Sequence, residues 1–273
     1  MDDTGIITYY HGKMIGFLIK KTFYDLWDNM FRIILLNLGF LASLAIPIFL
    51  PGFVSIPALS IALLAAGLLW CCLYLATASL VLRAVSDYGT FGFAEFLAKL
   101  KTCWLAGITW GIGAGILFLM ARIVIPFYLN MHSLLGLFLA AIIFWTLVLA
   151  MVSFQFFFAL YARMDGTIPI IVKKCFFLFL DNPGFAVFSL LSTILTLVLS
   201  LFLAFLLPGP AGTILFLDES LRLRLLKYEW QACKPPDHAS VKRQVIPWDV
   251  ILAEEKEKTG NRTLQSFIFP WKD

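Results

Sequence analysis

Four ionisable residues beside an apolar stretch form the part of the chain whose types and spacing best suit chemistry. They are Asp218, Glu219, Arg222 and Arg224. On a helix, Arg222 lies four residues from Asp218 and three from Glu219, so either acid could pair with it on one face. Charges at membrane depth are costly and usually pair or face a cavity. Two interpretations remain open: a polar pocket near the middle of the bilayer, or a half-helix whose basic side chains reach the interface.

The other reactive residue types show no catalytic or metal-binding pattern. His11, His132 and His238 have neither HxxxH spacing nor a carboxylate at a typical offset. The cysteines form no CxxC pair and lie mostly within or beside apolar sequence; they are Cys71, Cys72, Cys103, Cys175 and Cys233. We therefore expect no catalytic residue, no cofactor and no metal, and a protein that is not an enzyme.

Five long apolar blocks must position these residues. Hydrophobic residues make up 61% of the chain, charged residues 14%, and the mean hydropathy is +0.89. A helix of about 20 apolar residues crosses the hydrocarbon core of a bilayer. The blocks are Ile33–Leu50, Leu59–Leu82, Trp104–Ile125, Leu134–Tyr161 and Phe185–Leu207. They predict an all-α membrane protein with five to six transmembrane helices in the lipid bilayer, and the net charge of +4 does not indicate nucleic acid binding.

The distribution of Lys and Arg predicts the topology. The first 32 residues contain four Lys and Arg residues, and residues 83–103 and 162–184 contain three each. Residues 51–58 and 126–133 contain no Lys or Arg. By the positive-inside rule, the N terminus and the two basic loops lie in the cytoplasm.

The number of spans depends on the sequence after the fifth block. Pro208-Gly209-Pro210 should interrupt a helix, and apolar residues resume at Ala211–Leu217. Residues 208–273 contain ten Lys and Arg, which favours a short sixth span over 211–228 and a cytoplasmic C terminus. The alternative is a five-span protein with an external amphipathic helix.

Three hairpin-like units are expected, each led by an amphipathic, aromatic segment. The segments are 23–31, 93–100 and 170–180, which suit helices lying in the cytoplasmic interface. Asn182 and Pro183 predict the N-cap and first residue of the fifth span. The expected organisation is an interfacial segment 1–32, a transmembrane bundle 33–228 and a cytoplasmic tail 229–273.

Small and polar residues indicate where helices could meet. Gly107, Gly111 and Gly115 recur every four residues and allow another helix to approach closely. The approaching helix could belong to this chain, to a second copy in a homo-oligomer, or to a membrane-protein partner. Hydroxyl side chains on the fifth block could bond across helices or line a solute path; they are Ser189, Ser192, Thr193, Thr196 and Ser200.

The tail ends in aromatic residues that should be covered. Residues 248–258 predict a short charged helix that stops at Thr259-Gly260. Burial would stabilise the aromatic side chains of this tail, which are Trp248, Phe267, Phe269 and Trp271. The protein's own surface, the lipid interface or a groove on a partner could supply the cover.

Three features resemble the YesL-like family of bacterial integral membrane proteins: the amphipathic start with Asp28-Asn29, the proline-rich turn at 46–59, and the ending at 206–230. The resemblance spans about residues 12–230, and the tail at 231–273 departs from it. It implies a multi-pass protein of the bacterial inner membrane, with an accessory role in carbohydrate uptake and no functional residues to carry over. We therefore expect a non-enzymatic accessory or regulatory partner of another membrane protein, such as a transporter. The alternative is a small-solute permease that uses residues 208–224.

Overall fold

The computed structural model describes residues 3–233, 246–260 and 262, with side chains from Met14 onward. Within these residues the chain is helical and contains no β-strand, which confirms the all-α class. The helices are α1 (Asp3–Asp28), α2 (Met30–Phe49), α3 (Pro57–Ser86), α4 (Phe93–Leu100), α5 (Trp104–Leu119), α6 (Ile125–Leu129), α7 (Leu134–Phe154), α8 (Phe157–Arg163), α9 (Ile168–Asp181), α10 (Pro183–Phe202), α11 (Gly209–Ala232), α12 (Trp248–Ile251) and α13 (Ala253–Thr259).

The chain divides into two compact units. One unit comprises residues 29–218, and the other comprises residues 1–28 together with 219–273. The organisation expected from the sequence, with boundaries after residues 32 and 228, refers to position relative to the membrane and stays a prediction. Helix α11 contributes its first ten residues to the larger unit and the remainder to the smaller one.

Within the described residues, five helices are long and apolar enough to cross a membrane, as the apolar blocks predict. They are Met30–Phe53, Pro57–Ser86, Trp104–Leu129, Leu134–Arg163 and Pro183–Phe202. These spans fit a multi-pass membrane protein. Helix α11, which contains the expected sixth span, is not among them.

Two prolines lie inside helical segments. Pro47, within the proline-rich stretch at 46–59 that was expected to form a turn, is within α2, where it packs against Gly67 of α3; a Cβ on Gly67 would lie 2.9 Å from the Cβ of Pro47. Pro126 lies in α6, directly after a π-helical segment at Met120–Val124 and within the continuous span Trp104–Leu129.

Close backbone approaches hold α2, α3 and α5 together. The Tyr74 hydroxyl of α3 donates to the Leu36 carbonyl of α2 at 2.9 Å. A Cβ on Gly107 would lie 2.8 Å from the Cα of Leu73, so α5 meets the backbone of α3 here. Small residues permit such contacts between membrane helices, where packing is a main source of association energy.

The second and third amphipathic segments are helices, as expected. Helix α4 buries Phe96 and exposes Phe93, and α9 buries Cys175 and exposes Phe177. The first segment is the end of the longer α1, which stops before Asn29.

The predicted side-chain cap of α10 is wrong, although the helix begins at Pro183 as expected. Asn182 occupies the N-cap position but makes no capping bond, and its amide donates to the Asp181 carboxylate instead. The neighbouring acid therefore competes with the helix terminus for this side chain.

The smaller unit combines both ends of the described chain. Helices α12 and α13 pack on α1, and Trp248 and Leu252 are fully buried. The predicted tail helix is present but is broken at Leu252 into α12 and α13. It ends before Gly260, whose φ of +76° suits glycine.

Candidate functional site

Arg163 and Asp218 form the principal buried ion pair of the larger unit. Arg163, at the end of α8, donates from Nε to Oδ1 of Asp218 at 2.9 Å and from Nη2 to Oδ2 at 2.5 Å. The side chains are 8% and 1% exposed. Two parallel charge-assisted bonds give this pair a fixed geometry.

The end of α3 completes the network around Arg163. Nη2 of Arg163 donates to the Ser86 hydroxyl at 2.7 Å, and Nη1 of Arg163 donates to Oδ1 of Asp87 at 3.1 Å. Arg83 lies 3.5 Å from Asp87 and donates to the Ala162 carbonyl at 2.5 Å. Two arginines and two aspartates thus balance in charge and join the ends of α3 and α8 to α11.

Glu219 belongs to a separate buried group in the smaller unit. It accepts a hydrogen bond from Thr22 and lies 3.8 Å from the ammonium of Lys21, which also donates to Asp25 at 2.5 Å. Burial raises the pKa of Glu219 well above its usual range, and the charge of Lys21 opposes this rise. The carboxylate of Asp25 raises it further.

The four residues predicted as one polar cluster therefore have different partners. Arg222 donates to Glu255 at 2.8 Å, whereas Asp218 bonds to Arg163 and Glu219 to Thr22, so contacts with other helices replace the pairing that the helical spacing allowed. Arg224 is 1% exposed. Sequence spacing along one helix did not indicate Arg163, which is 55 residues from Asp218. The only available signal was the position of Arg163 at the end of an apolar block.

Asn37 secures the break between α10 and α11. Its amide nitrogen donates to the carbonyls of Leu206 and Pro208, each at 2.9 Å, and its Oδ1 accepts from the Ala211 N–H at 2.9 Å. The Gly209 N–H donates to Ser200 at 2.9 Å. Gly209 has a φ of +62°, and a Cβ there would lie 2.3 Å from Asn37 Nδ2. Asn37 is the eighth residue of α2, about 10 Å along a candidate span, so non-helical backbone is satisfied beside a membrane helix.

An apolar cavity of about 520 Å³ lies in the larger unit, between α3, α5, the α7–α8 segment, α10 and α11. Gln155, Thr193 and Thr213 are the polar residues of its lining. Of these, Thr213 donates to the Gly209 carbonyl at 3.2 Å. The sequence had grouped Thr193 with other hydroxyl residues of its span but gave no indication of the cavity.

The third candidate span carries an exposed arginine. Arg122 lies in the π-helical segment, and within the described residues it makes no ion pair or hydrogen bond. No residue from 108 to 129 is buried. A single-turn π-helix often marks a functional position in a helix.

The glycine stripe divides between two environments. Gly107 and Gly111 face α3, since added Cβ atoms would lie 2.8 Å from Leu73 and 3.1 Å from Leu69. Gly115 has nothing within 4 Å of such an atom.

The aromatic residues expected to dock the tail are described only in part. Trp248 is buried within the smaller unit. Phe267, Phe269 and Trp271 lie outside the described residues, as does His238.

The described part of the chain contains no group of three or more His, Cys, Asp or Glu residues that could hold a metal ion. The fold and the buried ion pairs fit the general class of multi-pass helical membrane proteins. No protein-family model matches the chain, and no curated protein or solved structure is significantly similar to it.

Proposed function

We propose that this chain is a non-enzymatic accessory or regulatory protein of the bacterial inner membrane that binds another membrane protein through its third span. The observation that carries the proposal is Arg122, an exposed cation on an apolar helix with no partner in the described residues. The N terminus would be cytoplasmic, in accordance with the distribution of Lys and Arg in the loops, and the C terminus would be cytoplasmic too if α11 crosses the membrane as the expected sixth span.

An arginine on a lipid-facing surface is costly. Insertion scales assign about 2.5–3.5 kcal/mol to arginine at the centre of a membrane helix, and such residues usually pair or reach the interface. Arg122 lies seven residues before the end of its span, about 10 Å at 1.5 Å per residue, so its cost is below that value. A neighbouring helix with an aspartate or glutamate at the same depth would neutralise Arg122. This charge complementarity favours a membrane-protein partner with an acidic side chain in one of its spans.

The span that carries Arg122 has an exposed surface on which a second helix could pack. Ile112 is 56% exposed and Ile116 is 52% exposed. Gly115, on the same span, has open space where a side chain would project. The resemblance to the YesL-like family makes a carbohydrate transporter the first partner to test.

Co-purification from the native membrane tests this role. The full chain is extracted in mild detergent, and bound proteins are identified and quantified by mass spectrometry. We expect a stoichiometric membrane protein with the wild type, loss of that protein with Arg122→Leu, and its retention with the charge-matched control Lys101→Leu. Lys101 is an exposed cation outside the five spans.

A truncated chain that ends at Arg262 tests the aromatic C-terminal segment separately. It removes Phe267, Phe269 and Trp271 but keeps Trp248, so the described smaller unit is preserved. Loss of the partner with this variant would assign docking to the aromatic tail and not to Arg122. Absence of any stoichiometric partner, or its retention by Arg122→Leu, would refute the third-span interface and leave Arg122 as a ligand of lipid phosphate.

A small-solute permease is the second candidate, and the interruption between α10 and α11 favours it. Transporters often bind solutes where a helix is broken within the membrane, and here Asn37 holds such a break. Purified protein in liposomes should then catalyse carbohydrate flux without a partner. Asp218→Ala should abolish that flux in protein that still elutes as a folded species, whereas an accessory protein would show no flux in either form.

A further inference from the structure

The cavity is an elongated slot along the helix axes. On α5 and the π-helical segment its lining runs from Trp110 to Ala121, which corresponds to about 16 Å at 1.5 Å per residue. Its volume of about 520 Å³ lies within the range of about 300–1,000 Å³ for small-molecule sites. Trp110 stacks on Phe158 at 5.2 Å between ring centroids and forms part of one wall. The shape suits an extended chain more than a compact solute.

Gln155 presents a hydrogen-bond acceptor with a fixed orientation. Its amide nitrogen donates to the Val152 carbonyl at 2.8 Å and to the Ala186 carbonyl at 2.9 Å. Both carbonyls can only accept, so the amide cannot be turned around. Its Oε1 is shielded from solvent and has no hydrogen-bond partner among the described residues. A ligand that satisfies this atom must therefore supply an O–H or N–H group.

Thr193 gives the slot a second polar point. Its hydroxyl is also shielded and without a partner in the described structure. It lies seven residues beyond Ala186 on α10, about 10 Å further along the slot. None of the residues that line the cavity is charged. A charged ligand would therefore meet no counter-ion, and its desolvation would be unfavourable.

We infer that this cavity binds a neutral, long-chain amphiphile whose polar end carries a hydroxyl group. The hydroxyl donates to Gln155 Oε1, and the hydrocarbon chain extends past Thr193 towards Leu197 and Ala121. Phe118 and Met151 of the lining are 65% and 46% exposed and belong to candidate membrane spans. The ligand therefore enters sideways from the hydrocarbon layer. This site is independent of the interface proposed at Arg122.

Photolabelling with a diazirine derivative of hexadecanol tests the site on the purified full chain. We expect saturable labelling that maps to residues 110–121 or 147–158. Unlabelled hexadecanol should compete, whereas hexadecyl methyl ether, which lacks the O–H donor, should compete at least threefold more weakly. Competition by a monoacylglycerol or by farnesol then distinguishes a glycerol lipid from an isoprenoid alcohol as the source of this chemistry.

Three variants separate binding from folding. Thr193→Val removes an unpartnered hydroxyl from the wall that the hydrocarbon chain passes and breaks no internal bond, so binding should be as strong as in the wild type or stronger. Thr146→Val is the matched control, because the Thr146 hydroxyl bonds to Ile142 of its own helix and does not line the cavity; its labelling should equal that of the wild type. Ala114→Phe should fill the slot and abolish labelling, with Leu190→Trp as the substitute if Ala114→Phe does not fold.

Three results would each overturn the inference. They are labelling that rises without saturation, equal competition by hexadecanol and its methyl ether, and unchanged labelling in the folded slot-filling variant. Any of these would mean that the probe reports general partition into the lipid-facing surface.

Discussion

Replacement of Arg163 by methionine should destabilise the larger unit by about 3–5 kcal/mol. The change removes both bonds to Asp218, whose side chain is only 1% exposed, and leaves a buried carboxylate without its counter-ion. Asp87 loses a partner too, but it is 38% exposed and still lies 3.5 Å from Arg83, so its share of the loss is small. The cost therefore arises mainly from the desolvated charge on Asp218.

A double-mutant cycle isolates the interaction energy between Arg163 and Asp218. Arg163→Met, Asp218→Leu and the double variant are unfolded reversibly by SDS titration in mixed micelles, and helix content is followed by circular dichroism. The double variant should recover most of the lost stability, because apolar side chains of similar size often replace a buried pair without cost. Lys258→Met is the control. It breaks a pair with Glu254 whose side chains are 46% and 76% exposed, so its effect on stability should be small.

Two outcomes would refute the reasoning. One is a cost for Arg163→Met no larger than that for Lys258→Met, which would mean that Asp218 is solvated or protonated in the folded protein. Alternatively, the double variant could be as unstable as the sum of the two single variants, which would mean that the two side chains act independently.

Three further predictions concern helix packing, the α10–α11 break and pH. Gly107→Ala should destabilise the protein by about 1–3 kcal/mol, because its Cβ would lie 2.8 Å from the α3 backbone, whereas Gly115→Ala should not destabilise it. SDS titration compares the two variants, and equal losses of stability would contradict the assigned contact. Asn37→Leu should destabilise the protein by at least about 2 kcal/mol, since it leaves two carbonyls and one N–H without their partner. Proteolysis near residue 207 should therefore increase, and an unchanged digest would contradict the role of Asn37 at the α10–α11 break. The raised pKa of Glu219 means that the folded state binds its proton more tightly, so this group lowers stability as pH rises from about 4.5 through its folded pKa. Glu219→Gln should remove that part of the pH dependence of the melting temperature, and an unchanged pH profile would show that Glu219 does not cause it.

Local sequence predicted the spans because each membrane helix satisfies its own backbone hydrogen bonds. A block of apolar residues is therefore sufficient to indicate a span without knowledge of its neighbours. Four of the predicted blocks lie within the observed spans, and the fifth overlaps Pro183–Phe202 but extends five residues past it, to Leu207. The bonds to Asn37 and Ser200 explain that difference, because they stabilise a non-helical connection within apolar sequence.

The amphipathic helices were also predictable, since their period depends on nearby residues. Helix α4 has the bounds that its pattern predicts, 93–100, and α9 extends only slightly beyond 170–180. The bounds of the first amphipathic segment were predicted less accurately. Its pattern continues through Asn29, whereas the helix breaks there.

By itself, the sequence determined the all-helical class, the five apolar spans and the short helices between them, because hydropathy and helical period act over a few turns. Only the tertiary structure decided that Asp218 pairs with Arg163, that Asn37 secures the α10–α11 break, and that Gln155 and Thr193 line one cavity. These relationships join residues from helices that are distant in sequence. The spacing along a single helix contains no information about which neighbour will desolvate a charge or satisfy a polar atom.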